Sequence, residues 1–564
     1  MDQRAADGDP GSGAAPGRWV RLRRRAAIDA VPLITFAIFV VAGLAWATQT
    51  WHPVEDLAIT ELMVRQIGHH TPLSGAYSSL PFHHPGPLLF WYLWGPYELF
   101  GERSSALLTA TIWFNGAVLA LILAVARRLG GRVLALVVAG AVLLWALDDH
   151  IPRLLQPWNP YVGALPMVAL VLLTWAMVER RSWALPLSVG LASWAVQAHV
   201  QYAPVVLPLL VAGTVGLVVQ AARHGGRVGV RSLLRPVAIA VAVGVALWLP
   251  AAVDLVLHGS SSNVAAMARY YTGDAQQARQ MDPRDFGLVL RSTFSLHPMW
   301  AGGPRAYHLL LLPTARETPW GVLVLVLAIA GAAWRRAADE LRGIAVALLA
   351  VALAFLALTQ ITGKNLTQWY LIPVGATGLA LDAIVVASVI ATVRRLLAGA
   401  IVRIPAPVRA AAPRVAMAAT LALVVAIPFS FQRQRAEEVP AAVAQQMLPT
   451  IEQTISDGQP IFLEARYGVG GWVQAALALQ LQKAGYPVYA KGSIPGKFPP
   501  SMDTTPPDDA VRLIFLTNPS STDWLPGIHT VAEASFGLKP GDVPIHVVVV
   551  EAPLDATALT TAGT

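Results

Sequence analysis

Long apolar runs separated by short arginine-rich connections dominate the chain between residues 28 and 430. A membrane-spanning helix needs roughly 20 predominantly apolar residues. By that criterion the pattern predicts about eleven spans, at residues 28–49, 104–126, 133–148, 160–178, 183–199, 202–222, 236–257, 319–334, 343–361, 370–393 and 415–430. The run at 88–100 is too short to cross and is rich in Trp and Tyr. We therefore expect it to lie in the membrane interface.

The positions of the basic residues predict which side of the membrane each connection faces. With a cytoplasmic N-terminus, every short inner connection carries arginine, as at Arg127, Arg128 and Arg132, whereas the short outer connections carry almost none. An excess of positive charge marks cytoplasmic loops. One span more or fewer would reverse every later connection, so the charges favour an odd number of spans.

These sides divide the chain into three predicted parts. We expect a disordered, basic cytoplasmic N-terminus at 1–27 and a transmembrane domain at 28–430, with a first outer loop at 50–103 and another at 258–318. Residues 431–564 alternate between helical and strand-like patterns, which indicates a small extracytoplasmic α/β domain. The predicted elements there are helices at 437–456 and 471–484 and strands at 460–464, 487–490, 511–516 and 544–550. The predicted fold class is mainly α, a polytopic helical membrane protein with this small C-terminal domain.

The composition supports a membrane protein and excludes several other classes. The chain has 564 residues, of which 55% are hydrophobic and 13% charged, against ~25% charged in soluble domains. Its net charge of +8 lies in short clusters between apolar runs, so we expect no nucleic-acid partner. The absence of cysteine excludes disulfides, thiolate nucleophiles and cysteine-bound zinc. The abundance of Arg, Ala and Val suggests a bacterial genome rich in GC, and hence a multi-pass protein of the bacterial inner membrane.

The first outer loop carries the most informative polar residues. Glu55 and Asp56 directly follow the first span, and Glu61 lies further along a predicted helix at 55–67. That helix would place Leu57, Met63 and Val64 against the membrane and the carboxylates in a cavity. Carboxylates at the lipid boundary are unfavourable unless they are solvated, paired or bound to metal. The alternative is that Glu55 and Asp56 only mark the outer end of a span.

The rest of this loop resembles the opening of the GT-C class of glycosyltransferases, which use lipid-linked sugars. The protein O-mannosyltransferase and aminoarabinose transferase branches are the most similar. The resemblance rests on an acidic residue after the first span and on four motifs: His84-Pro85-Gly86-Pro87-Leu88, the aromatic run Phe90–Tyr97, Phe100-Gly101 and Arg127-Arg128-Leu129-Gly130. A second segment, 363–382, resembles the late Lys…Tyr-x-x-Pro segment of the class. This chain departs from the family in its order Glu55-Asp56 and in having Gly86 in place of a proline.

The resemblance implies a polyprenyl-phosphate sugar as donor and a glycan, lipid or protein hydroxyl as acceptor on the outer face. A first-loop carboxylate would act as general base, with Asp56 the first choice and Glu55 the second. The class also implies a cation for the lipid phosphate, for which Lys364 is favoured and Arg65 is a further candidate. The remaining substrate-binding candidates on this face are Tyr77, His83, His84, Glu61, His199 and Tyr370.

A divalent metal is the one cofactor that the residues suggest. His52, Glu55, Asp56 and His84 are imidazole and carboxylate groups, which suit zinc or manganese. Their spacing matches no fixed ligand motif, and ordinary surface or turn histidines are the alternative. In the tail, Gly468, Gly470 and Gly471 do not fit the dinucleotide fingerprint and indicate tight strand–helix packing instead.

Two other classes of function remain open at this point. One is a transporter or flippase of a lipid-linked substrate, for which matched halves and broken helices near the membrane centre are typical. No such pairing is visible, and the strongest polar clusters lie at the outer face. The other is a non-catalytic scaffold that assembles envelope enzymes through its outer domain.

Overall fold

The computed structural model describes residues 18–147, 156–273, 283–301, 318–359, 368–398, 405–433, 439–465, 470–492, 494, 496–517, 529–536 and 545–552. Fourteen of the described helices precede the C-terminal part. They are α1 (Arg18–Ala47), α2 (Glu55–Arg65), α3 (Leu88–Leu99), α4 (Ser105–Ala146), α5 (Ala164–Val178), α6 (Ala184–Ala198), α7 (Ala203–Arg231), α8 (Leu234–His258), α9 (Asn263–Thr272), α10 (Pro283–Thr293), α11 (Trp320–Trp334), α12 (Ala338–Thr359), α13 (Ile372–Leu396) and α14 (Ala406–Arg433).

Every predicted span falls on one of these helices. Seven of the described helices, α1, α4, α7, α8, α12, α13 and α14, are long and apolar enough to cross a membrane, and α5, α6 and α11 are shorter apolar helices. The predicted spans 104–126 and 133–148 are the two halves of the 42-residue α4, which is interrupted at Gly131 with φ 69° and ψ −157°. A helix of that length extends about 63 Å, twice the hydrocarbon thickness. The break therefore allows α4 to supply two spans, while the total number of spans and their sides remain predictions.

The helices arrange their apolar side chains as lipid-embedded bundles do. In α5 every residue from Ala164 to Met177 is buried, which is expected of a helix that is apolar all round and surrounded by others. On α7, by contrast, Leu207, Val211 and Val215 form an exposed stripe, and α8 carries a similar one. Residues four apart share one helix face. These stripes are therefore where lipid would contact the bundle.

The outer loop predicted at 258–318 contains helical structure that its sequence did not indicate. Helices α9 and α10 lie within it, together with a short 3-10 turn at Met299–Ala301. The Nε1 of Trp300 in that turn donates to Asp382 of α13 at 2.9 Å. This hydrogen bond holds the loop against the helical bundle.

The C-terminal part combines two helices with one five-stranded sheet, which confirms the predicted fold class. Its elements are α15 (Val439–Thr454), β1 (Ile461–Ala465), α16 (Gly470–Lys483), β2 (Val488–Lys491), β3 (Val511–Thr517), β4 (His529–Phe536) and β5 (Ile545–Ala552). The strand order is β2-β1-β3-β5-β4. The first three strands are parallel, whereas β5 is antiparallel to both β3 and β4. Strand β4 was not predicted from the sequence.

The C-terminal part packs directly on the first loop. Leu62 of α2 and Leu477 and Leu481 of α16 belong to one buried apolar cluster. The expectation that Leu57, Met63 and Val64 face the membrane is wrong, because all three are buried inside the protein. Helix α2 is thus covered by protein on the side that its amphipathic pattern assigned to lipid.

Candidate functional site

Asp56 lies in the first turn of α2, where both oxygens of its carboxylate accept hydrogen bonds. The Tyr77 hydroxyl donates to Oδ1, and the Trp158 Nε1 donates to Oδ2 at 2.8 Å. The carboxylate is half-buried, and the N-terminal end of a helix favours a negative charge. Two donors from separate parts of the chain therefore fix this carboxylate in one orientation.

Glu55 begins the same helix with an unusual backbone conformation. Its φ is +50°, in the left-handed region that residues other than glycine rarely adopt. Strain of this kind persists only where the surrounding structure enforces it, and it concentrates at functional sites. Burial raises the pKa of Tyr77 well above 10, and the charges of Asp56 and Glu55 raise it further. The phenol therefore keeps its proton and remains a donor to Asp56.

His83 and His84 occupy a turn held from two sides. Gly75 N donates to His84 O at 2.9 Å, and His84 N donates to Ala76 O at 2.8 Å. From the start of α9, the Asn263 amide accepts from His83 N at 2.7 Å and donates to the carbonyls of His83 and His84 at 3.0 and 3.2 Å. These bonds connect the turn to α9.

The His84 ring packs against another predicted residue, His199, which caps the end of α6. Their ring centroids are 4.1 Å apart, and Val200 N donates to His84 Nδ1 at 3.3 Å. Burial lowers the pKa of His83 and lowers that of His84 well below its usual value, with His199 and His83 adding to the effect on His84. Both imidazoles are therefore neutral at pH 7.

Gly86, the departure from the family pattern, has a steric cause in this chain. A Cβ at this position would lie 2.0 Å from the side-chain oxygen of Gln197. Neither proline nor alanine fits unless Gln197 moves. Glycine at position 86 therefore leaves room for the Gln197 side chain of α6.

Aromatic side chains from four segments surround the carboxylate and the turn. The Trp158 ring lies 5.7 Å from that of Trp369, which lies 5.9 Å from that of Tyr370. On the other side, the ring of Phe82 contacts those of Tyr270 and Tyr271 at 5.4 and 5.8 Å. Tyr370, predicted from the late family motif, is therefore connected to Asp56 through Trp369 and Trp158.

Glu61 and Arg65 point toward the C-terminal part rather than toward Asp56. Glu61 is fully buried, forms an ion pair with Lys483 of α16 and accepts from the Tyr97 hydroxyl at 2.9 Å. Arg65 pairs with Glu102 at 2.6 Å and donates to Gln482 at 3.0 Å. These two candidates form the contact between α2 and α16, and the structure does not place them with the other site residues.

The four suggested metal ligands do not assemble in the described part of the chain. No group of three or more His, Asp or Glu residues there is arranged to hold a metal ion. The two histidines are separated, because His84 packs on His199 and His52 lies beside Lys483 and Glu61. The Asp56 oxygens already accept from Tyr77 and Trp158. These four residues therefore do not fit a metal centre.

Two further points complete the placement of the site residues. Lys364, the favoured cation, lies outside the described residues. Lys497, between β2 and β3, was not predicted, yet its ammonium lies 5.8 Å from the Tyr77 ring centroid. No local pattern marks Lys497, because it reaches the site only through the packing of the C-terminal part on the first loop.

Comparisons with known proteins assign no function to the residues described above. No protein-family model matches the chain, and no curated protein matches it. Among solved structures, ArnT from Cupriavidus metallidurans is similar, both bound to undecaprenyl phosphate and in the apo state. The match covers 94% of this chain and 98% and 97% of those chains, with TM-scores of 0.49 and identities of 15% and 12%. A likeness this low assigns no role to any residue of this chain.

Proposed function

We propose that the chain is an integral membrane glycosyltransferase that transfers a sugar from a polyprenyl-phosphate donor to a hydroxyl of a cell-envelope acceptor. The observation that carries the proposal is the half-buried Asp56 carboxylate, held by Tyr77 and Trp158 at the start of α2. A carboxylate fixed by neutral donors and partly open is suited to accept a proton from a bound hydroxyl. The class of donor is inferred from the resemblance of the first-loop motifs to the GT-C class.

The proposed reaction is a single displacement at the anomeric carbon of the sugar. The acceptor oxygen attacks that carbon while its proton passes to Asp56, with Glu55 as the second candidate for the base. The bond between the anomeric carbon and the phosphate oxygen breaks, and its electron pair leaves with the polyprenyl phosphate. The configuration at the carbon is inverted. Since phosphate is already a good leaving group, one carboxylate is sufficient and no metal is required by the scheme.

The surrounding residues would divide between binding and support. Tyr370 and the aromatic rings around Trp158 offer faces for the sugar or the lipid. The neutral His83 and His84 can donate or accept hydrogen bonds without adding charge beside a phosphate. Lys364 remains the sequence-based candidate for the phosphate. Glu61 and Arg65, which face α16, are proposed to position α2 rather than to touch substrate.

The proposal places the chemistry at the outer face of a bacterial inner membrane. The N-terminus would be cytoplasmic, and the transmembrane domain at 28–430 would be followed by an extracytoplasmic domain at 431–564. The lipid donor would reach Asp56 laterally from the outer leaflet, and the acceptor would arrive from the aqueous side.

Donor cleavage by the purified protein tests this function against its rivals. The protein would be reconstituted in liposomes with radiolabelled sugars on decaprenyl phosphate, used as a representative polyprenyl phosphate, and with an envelope extract as the source of acceptor. The proposal expects release of free decaprenyl phosphate together with incorporation of label into the extract. Movement of intact donor between leaflets without cleavage would support a flippase. Neither cleavage nor movement with any donor would leave only the scaffold and refute the proposal.

A further inference from the structure

Lys497 is a buried lysine contributed by the C-terminal part. Its exposed fraction is 7%, although lysine is almost never buried unless its charge is paired. The ammonium lies over the Tyr77 ring, 5.8 Å from the centroid, and the hydroxyl of the same ring donates to Asp56. Tyr77 therefore joins Lys497 to the proposed base.

The segment that carries Lys497 is held firmly against the first loop. Gly496 has φ +67°, and a Cβ there would lie 2.9 Å from the His83 imidazole, so the backbone passes directly beside that ring. Lys497 N donates to Ile494 O at 3.2 Å, and Phe498 is buried with 1% exposure. The backbone at Lys497 is thus held by contacts on both sides, and the ammonium extends from it to the Tyr77 ring.

Three other basic residues have partners of their own. Arg65 pairs with Glu102, Lys483 pairs with Glu61, and Arg269 donates to the Ser260 carbonyl at 2.5 Å. Among the ion pairs of the described residues, none involves Lys497. The Lys497 ammonium thus has the Tyr77 ring beside it and no carboxylate among those ion pairs, which leaves it able to pair with an anion.

We propose that Lys497 binds the phosphate of the polyprenyl-phosphate donor, so that the C-terminal part supplies a residue of the site. The inference rests on the proposed function. Glu55 and Asp56 would otherwise repel a phosphate brought close to them, and one fixed positive charge offsets that repulsion. Lysine is an established phosphate ligand that acts as a point charge.

Binding of decaprenyl phosphate, compared with binding of uncharged decaprenol, tests the inference. In Lys497→Met the side chain keeps a similar length and loses its charge. We expect its affinity for decaprenyl phosphate to fall about 10- to 100-fold, the range for a hydrogen bond to a charged group, with decaprenol binding unchanged. Lys497→Arg should recover most of the affinity. Lys491→Met removes an exposed lysine on β2 and should behave as wild type.

The outcomes separate this inference from the proposed function. If the wild-type protein cleaves the donor and Lys497→Met has an unchanged Kd and an unchanged KM for donor, the inference is refuted while the function stands. A lowered unfolding temperature with normal phosphate binding would show a structural role and also refute it. A raised KM for the acceptor alone would refute the donor assignment. If the wild-type protein cleaves no donor and Lys497→Met binds decaprenyl phosphate more weakly, the phosphate contact of Lys497 is supported and the proposed function is refuted.

Discussion

The neutral histidines of the first loop, His83 and His84, make the stability of the chain depend on pH. The pKa values of His83 and His84 are lowered in the folded chain, so as the pH falls below about 6.5 the unfolded chain takes up protons first. Their contribution is therefore complete above about pH 6.5 and decreases as the pH falls toward the folded values. The decrease is at most ~1.4 kcal/mol per pH unit for each histidine.

We expect the unfolding temperature of the detergent-solubilised protein to fall between about pH 7 and pH 5 through this uptake of protons. His84→Asn should flatten that fall, because it removes the histidine whose pKa is lowered well below its usual value. His70→Asn, which replaces an exposed histidine, should keep the wild-type slope. Equal slopes in the wild type and His84→Asn would contradict this account.

Only part of the site could be predicted at the residue scale. Asp56 and Glu55 stand out in the sequence because they follow an apolar run directly. Tyr77 was predicted as a substrate-binding residue but not as a donor to Asp56, and neither was Trp158, since the two lie 21 and 102 positions away from it. Lys497 is further still, in a different part of the fold. Such partners come together through packing, which local spacing does not encode.

At the scale of elements, the contact between α2 and α16 depends on a buried ion pair. Glu61 has a fully buried side chain, and its partner Lys483 is 28% exposed. Removing one member of a buried pair leaves the other charge without compensation, at about 3–5 kcal/mol. We expect Lys483→Met to destabilise the protein by ~3 kcal/mol, toward the lower limit because Lys483 retains some solvent. The loss in free energy of unfolding is measured by titration with urea, with proteolysis of the C-terminal part as the readout of unfolding.

A double variant controls for the volume of the side chains. In Glu61→Gln/Lys483→Met neither position carries a charge, so we expect most of the stability to return. A Lys491→Met variant should show no loss, because that lysine is exposed. If the double variant is as unstable as Lys483→Met, the destabilisation does not come from the uncompensated Glu61 carboxylate.

The same contact explains what the pattern of α2 did not reveal. The positions of its apolar residues predicted the helix correctly, but periodicity cannot distinguish lipid from a covering helix as the apolar surroundings. Strand β4 was missed for a related reason. Its residues HTVAEASF mix polar and apolar types, and the register shifts between Thr530 and Ala532, which disrupts the simple alternation that marks a strand.

At the scale of the whole molecule, the sides of the membrane are the prediction that most needs a direct test. The natural chain has no cysteine, so single cysteines can be introduced without a background. Ser232, between α7 and α8, and Ser456, after α15, are both exposed. We expect an impermeant maleimide to label Ser456→Cys in intact spheroplasts, and Ser232→Cys only after permeabilisation. Equal labelling of both variants in intact spheroplasts would show that the predicted sides are wrong.

The helices themselves were predictable because long apolar runs and Arg clusters are strong signals that do not depend on distant partners. Each predicted span lies on a helix of the structure, including the two halves of α4 around Gly131. What the sequence could not supply is how the C-terminal part meets the first loop. That arrangement is set by side chains as far apart as Arg65 and Gln482.

The proposed base is tested most directly by single-turnover cleavage of a decaprenyl-phosphate sugar by Asp56→Asn. General-base catalysis contributes about 10²- to 10⁴-fold, so we expect the rate to fall by that factor while the Kd for the donor stays within about threefold of wild type. Asp457→Asn, at an exposed carboxylate, should keep the wild-type rate, and Glu55→Gln should lose less than Asp56→Asn. Wild-type rates in both Asp56→Asn and Glu55→Gln would contradict the account.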